Sequence, residues 1–215
     1  MPPTVDSSFD RLAAPYDRGM APLERLWLRG MRAALVPHAS GRVLAIGVGT
    51  GANLPFYTTP DLSRLAAIDE SAEMLAAAAK RAGALSHPTG GPGMARVDLA
   101  QMNVEGLAFC DNTFDTVVGS LVLCSVLDQR RALAEIRRVL ARPDGRLLLL
   151  EHMRPRARLL AWLADAANLP WYAANGRCHL NRQTQEVVTG AGFRLERVDS
   201  HLGGLFRLIV ARIQG

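Results

Sequence analysis

The spacing of hydrophobic positions changes along the chain. Across residues 21–36, Leu23, Leu26, Trp27, Met31, Ala34 and Leu35 recur at helical intervals, with Glu24, Arg25, Arg29 and Arg32 mostly opposite. This predicts an amphipathic helix that Pro37 stops. Residues 1–20 before it are polar and broken, with a short helical candidate around Phe9–Tyr16. The run from Arg42 to Gly47 is short and continuously apolar, as expected of a parallel strand covered on both faces. From Ala52 a helix begins that Pro55 and Pro60 keep short or irregular. Arg64–Asp69 predicts a second strand, and Ser71 N-caps an alanine-rich helix reaching Arg81. Residues 83–93 read as a Gly/Pro loop, Met94–Asp98 as a third strand and Phe114–Leu121 as a fourth. Gln129–Leu140 is amphipathic, with Leu133, Ile136, Val139 and Leu140 inward and Arg130, Glu135 and Arg138 outward. Pro143-Asp144-Gly145 is a turn into a fifth, apolar strand, Arg146–Leu150.

Residues 153–176 read as helix and loop, and Asn181–Ala191 as a helix ended by Gly192. Phe193–Ser200 and Phe206–Ile213 form two more strands, joined tightly through Gly203-Gly204 as a hairpin. The alternation predicts an α/β, three-layer Rossmann-like fold. Its mostly parallel seven-stranded sheet carries an antiparallel edge hairpin, with helices on both faces. A single domain over residues 1–215 is expected. Its parts are an N-terminal helical cover (1–36), a cofactor-binding half (37–152), and acceptor-side helices with the terminal hairpin (153–215).

Composition supports a folded globule: 215 residues, 49% hydrophobic and 21% charged. No apolar run is long enough to span a bilayer, and acids and a proline break up any signal-peptide pattern at the start. Cys110, Cys124 and Cys178 lie far apart without metal-ligand spacing, so no metal is expected and a reducing, cytoplasmic setting fits. The formal charge of +5 arises wholly within residues 111–215. Arg154, Arg156, Arg158, Arg177 and Arg182 face only Asp165 within residues 154–182. That pattern fits a patch for an anionic partner or a solvated Arg-rich surface.

Gly47-Val48-Gly49-Thr50-Gly51-Ala52-Asn53 lies between the first strand and the following helical turn. Glycines there let backbone N–H groups approach a ligand. The spacing also satisfies the dinucleotide fingerprint, so an NAD-dependent oxidoreductase stays open. Asp69 ends the second strand, placed to accept hydrogen bonds from ribose hydroxyls. Asp98, ending the third strand, is a candidate for an adenine amino group. Met74 fits either the adenine face or packing beneath its helix.

With these elements in place, the chain resembles the class I S-adenosylmethionine-dependent methyltransferases over nearly all its length. Val43–Gly51 is similar to the family's first motif, and Ala67–Leu75, with Asp69, Glu70 and Met74, to its second. Leu107–Val118 resembles the L-P-F-x-D-x-x-F-D run. Leu133–Gly145 with Leu147–Glu151 resembles the helix, turn and strand that follow it. Tyr16-Asp17 is similar to a pair that closes over the cofactor. Ala45 departs from the pattern, standing where the family usually has an acid, and Ala108 replaces the usual proline. The resemblance implies S-adenosylmethionine as cofactor and S-adenosylhomocysteine as product. It implies binding by Tyr16, Asp17, Gly47, Gly49, Gly51, Asn53, Asp69, Glu70, Met74, Asp98, Leu99 and Leu121, with Gln101 or Met102 sharing the work of Asp98.

Leu121–Val126, Glu151–Pro155, Pro170-Trp171 and Gly176–Arg182 resemble the methyltransferase-like 7 group and related bacterial enzymes. That resemblance implies acceptors among phospholipid amines, thiols and quinone precursors, with the amine of phosphatidylethanolamine leading. His152, His179 and Tyr16 are the candidates for handling the acceptor's proton. Trp171, Arg177 and Arg182 are the candidates for holding the acceptor or its phosphate. Cys124 and Cys178 read as buried structural thiols, because displacement from a sulfonium needs no covalent enzyme intermediate. Residues 21–36 and 153–172 combine tryptophan, leucine and arginine. They suit either interfacial helices on an anionic membrane surface or helices covering the crevice. A monomer is expected, with no nucleic-acid partner, since arginines are not interleaved with aromatics. A non-catalytic regulatory domain is the remaining alternative.

Overall fold

The computed structural model describes residues 10, 13–85, 97–174 and 177–214. Seven strands form one sheet: β1 Gly41–Ile46, β2 Leu62–Asp69, β3 Val97–Gln101, β4 Thr116–Ser120, β5 Arg146–His152, β6 Phe193–His201 and β7 Phe206–Ile213. Their order is β3-β2-β1-β4-β5-β7-β6. The first five are mutually parallel, whereas β7 runs antiparallel to both β5 and β6. This is the predicted three-layer architecture with its edge hairpin.

Side chains alternate across each strand, so the apolar runs divide between two cores. Leu44, Ile46, Val117, Leu147 and Leu149 join one core, which Leu133, Ile136 and Val188 cover. Those residues come from helices α4 (Gln129–Val139) and α6 (Thr184–Gly190). Val43, Ala45, Val118, Leu148 and Leu150 join the other, covered by Leu28, Met31, Leu35 and Ala78. These belong to the N-terminal helical run and to α3 (Ala72–Leu85).

The N-terminal run is α1 (Ala13–Leu23), a π turn (Glu24–Leu28), α2 (Arg29–Leu35) and a 3-10 turn through His38. The π turn corrects the predicted inward face. Its wider winding carries the inward stripe from half-buried Leu23 to buried Leu28, and Met31 and Leu35 continue it. Leu26 and Trp27 are left outside, 71% and 44% exposed, and Ala34 is exposed. Arg32, expected outward, is buried at 6% exposure.

Other boundaries moved, and α6 covers Thr184–Gly190 of the predicted Asn181–Ala191. The third strand is described over Val97–Gln101, so it ends at Gln101 rather than at Asp98; residues 94–96 lie outside the described ones. Helix α3 continues to Leu85, beyond the predicted loop start. Of the candidate helix around Phe9–Tyr16, residues 9, 11 and 12 lie outside the described ones, Asp10 stands in a turn, and Ala13 to Tyr16 open α1. Helix α5 spans Arg158–Ala174, inside the region read as helix and loop. The run 107–115 is pinned from α4: Arg138 donates to the carbonyls of Leu107 and Phe109 and pairs with Asp111 at 2.9 Å.

Candidate active site

The strand order reverses between β1 and β4, and a crevice opens beyond their carboxyl ends, where open α/β sheets bind ligands. Its free space, with the open solvent at its mouth counted, is about 710 Å³. Gly47, Gly49, Asp69, Met74, Leu121 and Tyr16 line it. So do Glu70, Arg177 and residues 102–105.

Gly47 and Gly49 both have positive φ, +53° and +55°. A Cβ on Gly47 would meet Val122 Cγ2 at 2.5 Å, so only glycine lets the two strand ends close together. A Cβ on Gly49 would meet nothing within 4 Å, so its backbone faces open space. Asp69 sits beneath. Its Oδ2 accepts from the Gly49 N–H at 2.8 Å and its Oδ1 from the Ser71 N–H at 3.0 Å. Each oxygen keeps a further lone pair for a ligand hydroxyl. Burial raises the Asp69 pKa, and the two N–H donors offset part of that rise. The open glycine backbone and the aimed carboxylate fit the adenosyl group of S-adenosylmethionine. Asp69, Gly49 and Met74 would hold it.

The remaining predicted cofactor residues divide. Asp98 pairs with Arg64 at 2.8 Å, away from the crevice, because the strand runs on to Gln101, three residues past the predicted end. Leu99 packs against the α3-side core. Neither lines the crevice; Met102 and Asn103, just past β3, do. Asn103 reaches Glu70 Oε2 at 3.4 Å. Gly51 packs on Leu54 and Ala78, outside the crevice lining. Asp17 accepts from the Thr50 hydroxyl and from Arg81, both at 2.6 Å, and so ties α1 to the glycine loop and α3. Asn53 accepts from buried Arg32 at 2.6 Å and donates to Ser120 at 3.0 Å, while Glu24 takes the other side of Arg32. This network braces the glycine loop from behind. Ala45, in the acid's place, is buried in the core.

Of the residues expected to meet the acceptor, Arg177 lines the crevice and forms an ion pair there with Glu70. Tyr16 also lines it, and burial pushes its phenol up to about 12. Arg182 has another task. It donates to the carbonyls of Leu123 at 2.6 Å and Val126 at 2.7 Å, fastening the turn after β4 rather than presenting a free phosphate site. His179 lies outside the crevice lining against the Tyr172 ring, centroids 4.8 Å apart, and its backbone N–H donates to Cys124. Burial lowers its pKa, with Arg182 adding to the effect.

Sequence reasoning passed over Glu151 as a builder of the site. Fully buried, its carboxylate accepts from the N–H groups of Val122 and Leu123, each at 2.8 Å, and of Cys124 at 3.2 Å. Burial raises its pKa against those three bonds. The turn it holds includes Leu121 in the left-handed region at φ +59°. The detectable signal was an acid at the end of a strand otherwise apolar throughout.

His152, next along, reaches Cys178 with Nε2 2.9 Å from Sγ. Cys178 Sγ is also 3.7 Å from Cys124 Sγ. Hydrogen bonding with Cys124, then His152 and Trp171, holds the Cys178 thiol well below its ordinary range, at about 4. Its contact with Cys178 and burial push Cys124 up. Burial alone would lower His152, yet the bond to Cys178 leaves it raised. Trp171 thus touches this cluster, not the crevice lining.

Comparison with known proteins agrees with this geometry. A "Methyltransferase domain" family model matches residues 44–149. A demethylmenaquinone methyltransferase of Thermobifida fusca is 33% identical over 80% of this chain and 72% of its own length. A phosphatidylethanolamine N-methyltransferase of Cereibacter sphaeroides is 37% identical over 58% and 57% respectively. A thiol S-methyltransferase of Mus musculus is 34% identical over 72% and 61%. The match therefore spans between about half and three quarters of these relatives' lengths. Among solved structures, a methyltransferase of Thermotoga maritima superposes with TM-score 0.69 at 20% identity, covering 96% of this chain and 99% of that one. At that identity it supports the fold alone.

Proposed function

We propose that this chain, which belongs to the class I S-adenosylmethionine-dependent methyltransferases, methylates the amine of an amphiphile of the phosphatidylethanolamine type. S-adenosylmethionine is the methyl donor. The sulfonium supplies an activated leaving group, so the chain's own residues mainly position the reactants and exclude water. Asp69 and Gly49 hold the donor. Tyr16, Arg177 and Glu70 border the acceptor side of the crevice.

The observation carrying the amphiphile reading is the outward face of α5. Leu159, Trp162, Leu163 and Leu169 are 69%, 63%, 47% and 76% exposed, and Arg156 and Arg158 are exposed beside them. Leu26 and Trp27 add a second exposed apolar pair on the π turn. Apolar side chains flanked by arginine suit the edge of an anionic lipid layer, from which a phospholipid headgroup would reach the crevice. No helix among the described residues is long and apolar enough to cross a membrane. The name of the Cereibacter sphaeroides relative supports the amine.

The test is transfer of radiolabelled methyl groups to phosphatidylethanolamine vesicles, a demethylmenaquinone and a small thiol, side by side. Label in the phospholipid is expected. Label confined to the quinone or the thiol overturns the acceptor assignment.

A further inference from the structure

We propose that Cys124, His152 and Cys178 form a binding site for a zinc-class divalent cation, with one coordination position left open. The inference stands apart from the choice of acceptor. The three ligand atoms, two sulfurs and one imidazole nitrogen, lie within 4.8 Å of one another. Cys124 and His152 are buried, 0% and 5% exposed, and Cys178 is half-buried. The sulfur separation of 3.7 Å matches the edge of a tetrahedron with metal–sulfur bonds of about 2.3 Å, which is about 3.8 Å, whereas the His152 Nε2–Cys178 Sγ pair, hydrogen-bonded at 2.9 Å, would open by roughly 0.7 Å to admit the ion. A disulfide would hold the sulfurs at about 2.05 Å. Two thiolates and one imidazole around a dication leave no net charge to bury, and this soft, mixed donor set favours zinc over magnesium or calcium.

Each ligand is set by an element already described. Glu151 fixes the backbone of residues 122–124 and thereby Cys124. His152 ends β5. Cys178 is returned to them by the backbone bond from the His179 N–H to the Cys124 carbonyl, 2.9 Å, and by Arg182 gripping the same turn. A cation here would pin the 177–182 segment, and with it Arg177 at the crevice, to the ends of β4 and β5. Three protein ligands leave a fourth tetrahedral position for a water molecule.

The test uses the full chain, expressed with added zinc and purified with a non-chelating reductant. Elemental analysis should find about one zinc per chain. Cobalt(II) replacement should give the intense visible bands of tetrahedral cobalt and a thiolate-to-cobalt charge-transfer band. Cys178→Ser should weaken zinc binding at least about 100-fold against a chromophoric chelator, a loss beyond that of outer-sphere changes. Cys110→Ser, which alters the exposed cysteine, should leave it unchanged. Should Cys178→Ser fail to fold, wild-type alkylation decides: zinc should protect Cys124 and Cys178 relative to chelator-treated protein, and leave Cys110 reactive. Wild-type protein with zinc far below stoichiometry and no cobalt bands overturns the site. So does a Cys124–Cys178 disulfide in the metal-free native protein that added zinc cannot prevent, or binding unaffected by a folded Cys178→Ser variant.

Discussion

At the scale of single residues, Asp69 carries the cofactor assignment. Its oxygens are already fixed by two backbone N–H groups, so a ribose would meet a carboxylate that needs no reorganisation. Asp69→Asn removes the charge and turns an N–H group toward a backbone donor. We expect S-adenosylhomocysteine binding to weaken by about 1.5–3 kcal/mol, roughly 10- to 150-fold, measured by calorimetry. Unchanged affinity would remove Asp69 from the site. The pH dependence follows from the direction of its shift. Burial raises its pKa, so the folded state holds this proton more tightly than the unfolded state. The residue's own contribution to stability therefore favours acid and is lost as pH rises through the folded pKa. Ligand binding runs oppositely, because the carboxylate is the form that accepts from hydroxyls. Affinity should begin to fall on acidification at a pH above that of an ordinary aspartate, about 3.9, and Asp69→Asn should flatten that fall.

At the scale of elements, the N-terminal run and α4 give two contrasting tests. Arg32 is buried between Glu24 of the π turn and Asn53 of the glycine loop. Arg32→Met leaves both without their charge partner, so we expect a loss of about 2–3 kcal/mol in urea unfolding, short of the full cost of a broken buried pair because Glu24 keeps partial solvent access. Cofactor affinity should fall with it, since Asn53 also holds Ser120 of the crevice lining. Asp128 N-caps α4, accepting from the N–H groups of Arg130 and Arg131 at 2.9 and 3.1 Å. Asp128→Ala should cost about 1 kcal/mol and lower the melting temperature by about 2–4 °C. These elements also mark what was legible beforehand. The central strands could be read because β1, β4 and β5 are covered on both faces and keep almost unbroken apolar runs. Strand β3 sits at the sheet edge with only partly buried residues, so its pattern was weak and Asp98 was misplaced. The helix could be read, but an i→i+5 turn leaves no mark in composition, and it exposed Trp27 while burying Arg32. Cys178 stands 26 residues from His152 and 54 from Cys124, separations that only the return of the 177–182 segment brings together.

At the scale of the whole molecule, two features act together: a basic second half and an apolar ridge that faces away from both cores. A helix that packed only on its own domain would bury its leucines and tryptophans; α5 buries Ala161 and Ala164 and turns the larger side chains outward. The arginines nearby are not all committed. Arg154 is paired with Asp165, while Arg156 stands exposed before the helix and Arg158 exposed at its first residue. Binding to a lipid surface would draw on both features, the apolar term insensitive to salt and the charged term weakened by it. Flotation with vesicles should therefore recover the protein on anionic lipid at low salt, less on neutral lipid, and less again as salt rises. Replacing Leu159 and Trp162 together by aspartate should lower vesicle binding at least about tenfold, since each side chain would lose an apolar contact worth upwards of a kcal/mol. The same double variant should bind S-adenosylhomocysteine as the parent does, because neither residue lines the crevice. Protein that stays at the bottom of the gradient with anionic vesicles at low salt would sink the membrane-surface reading. The crevice would then have to receive its acceptor from solution, which favours a small thiol over a phospholipid.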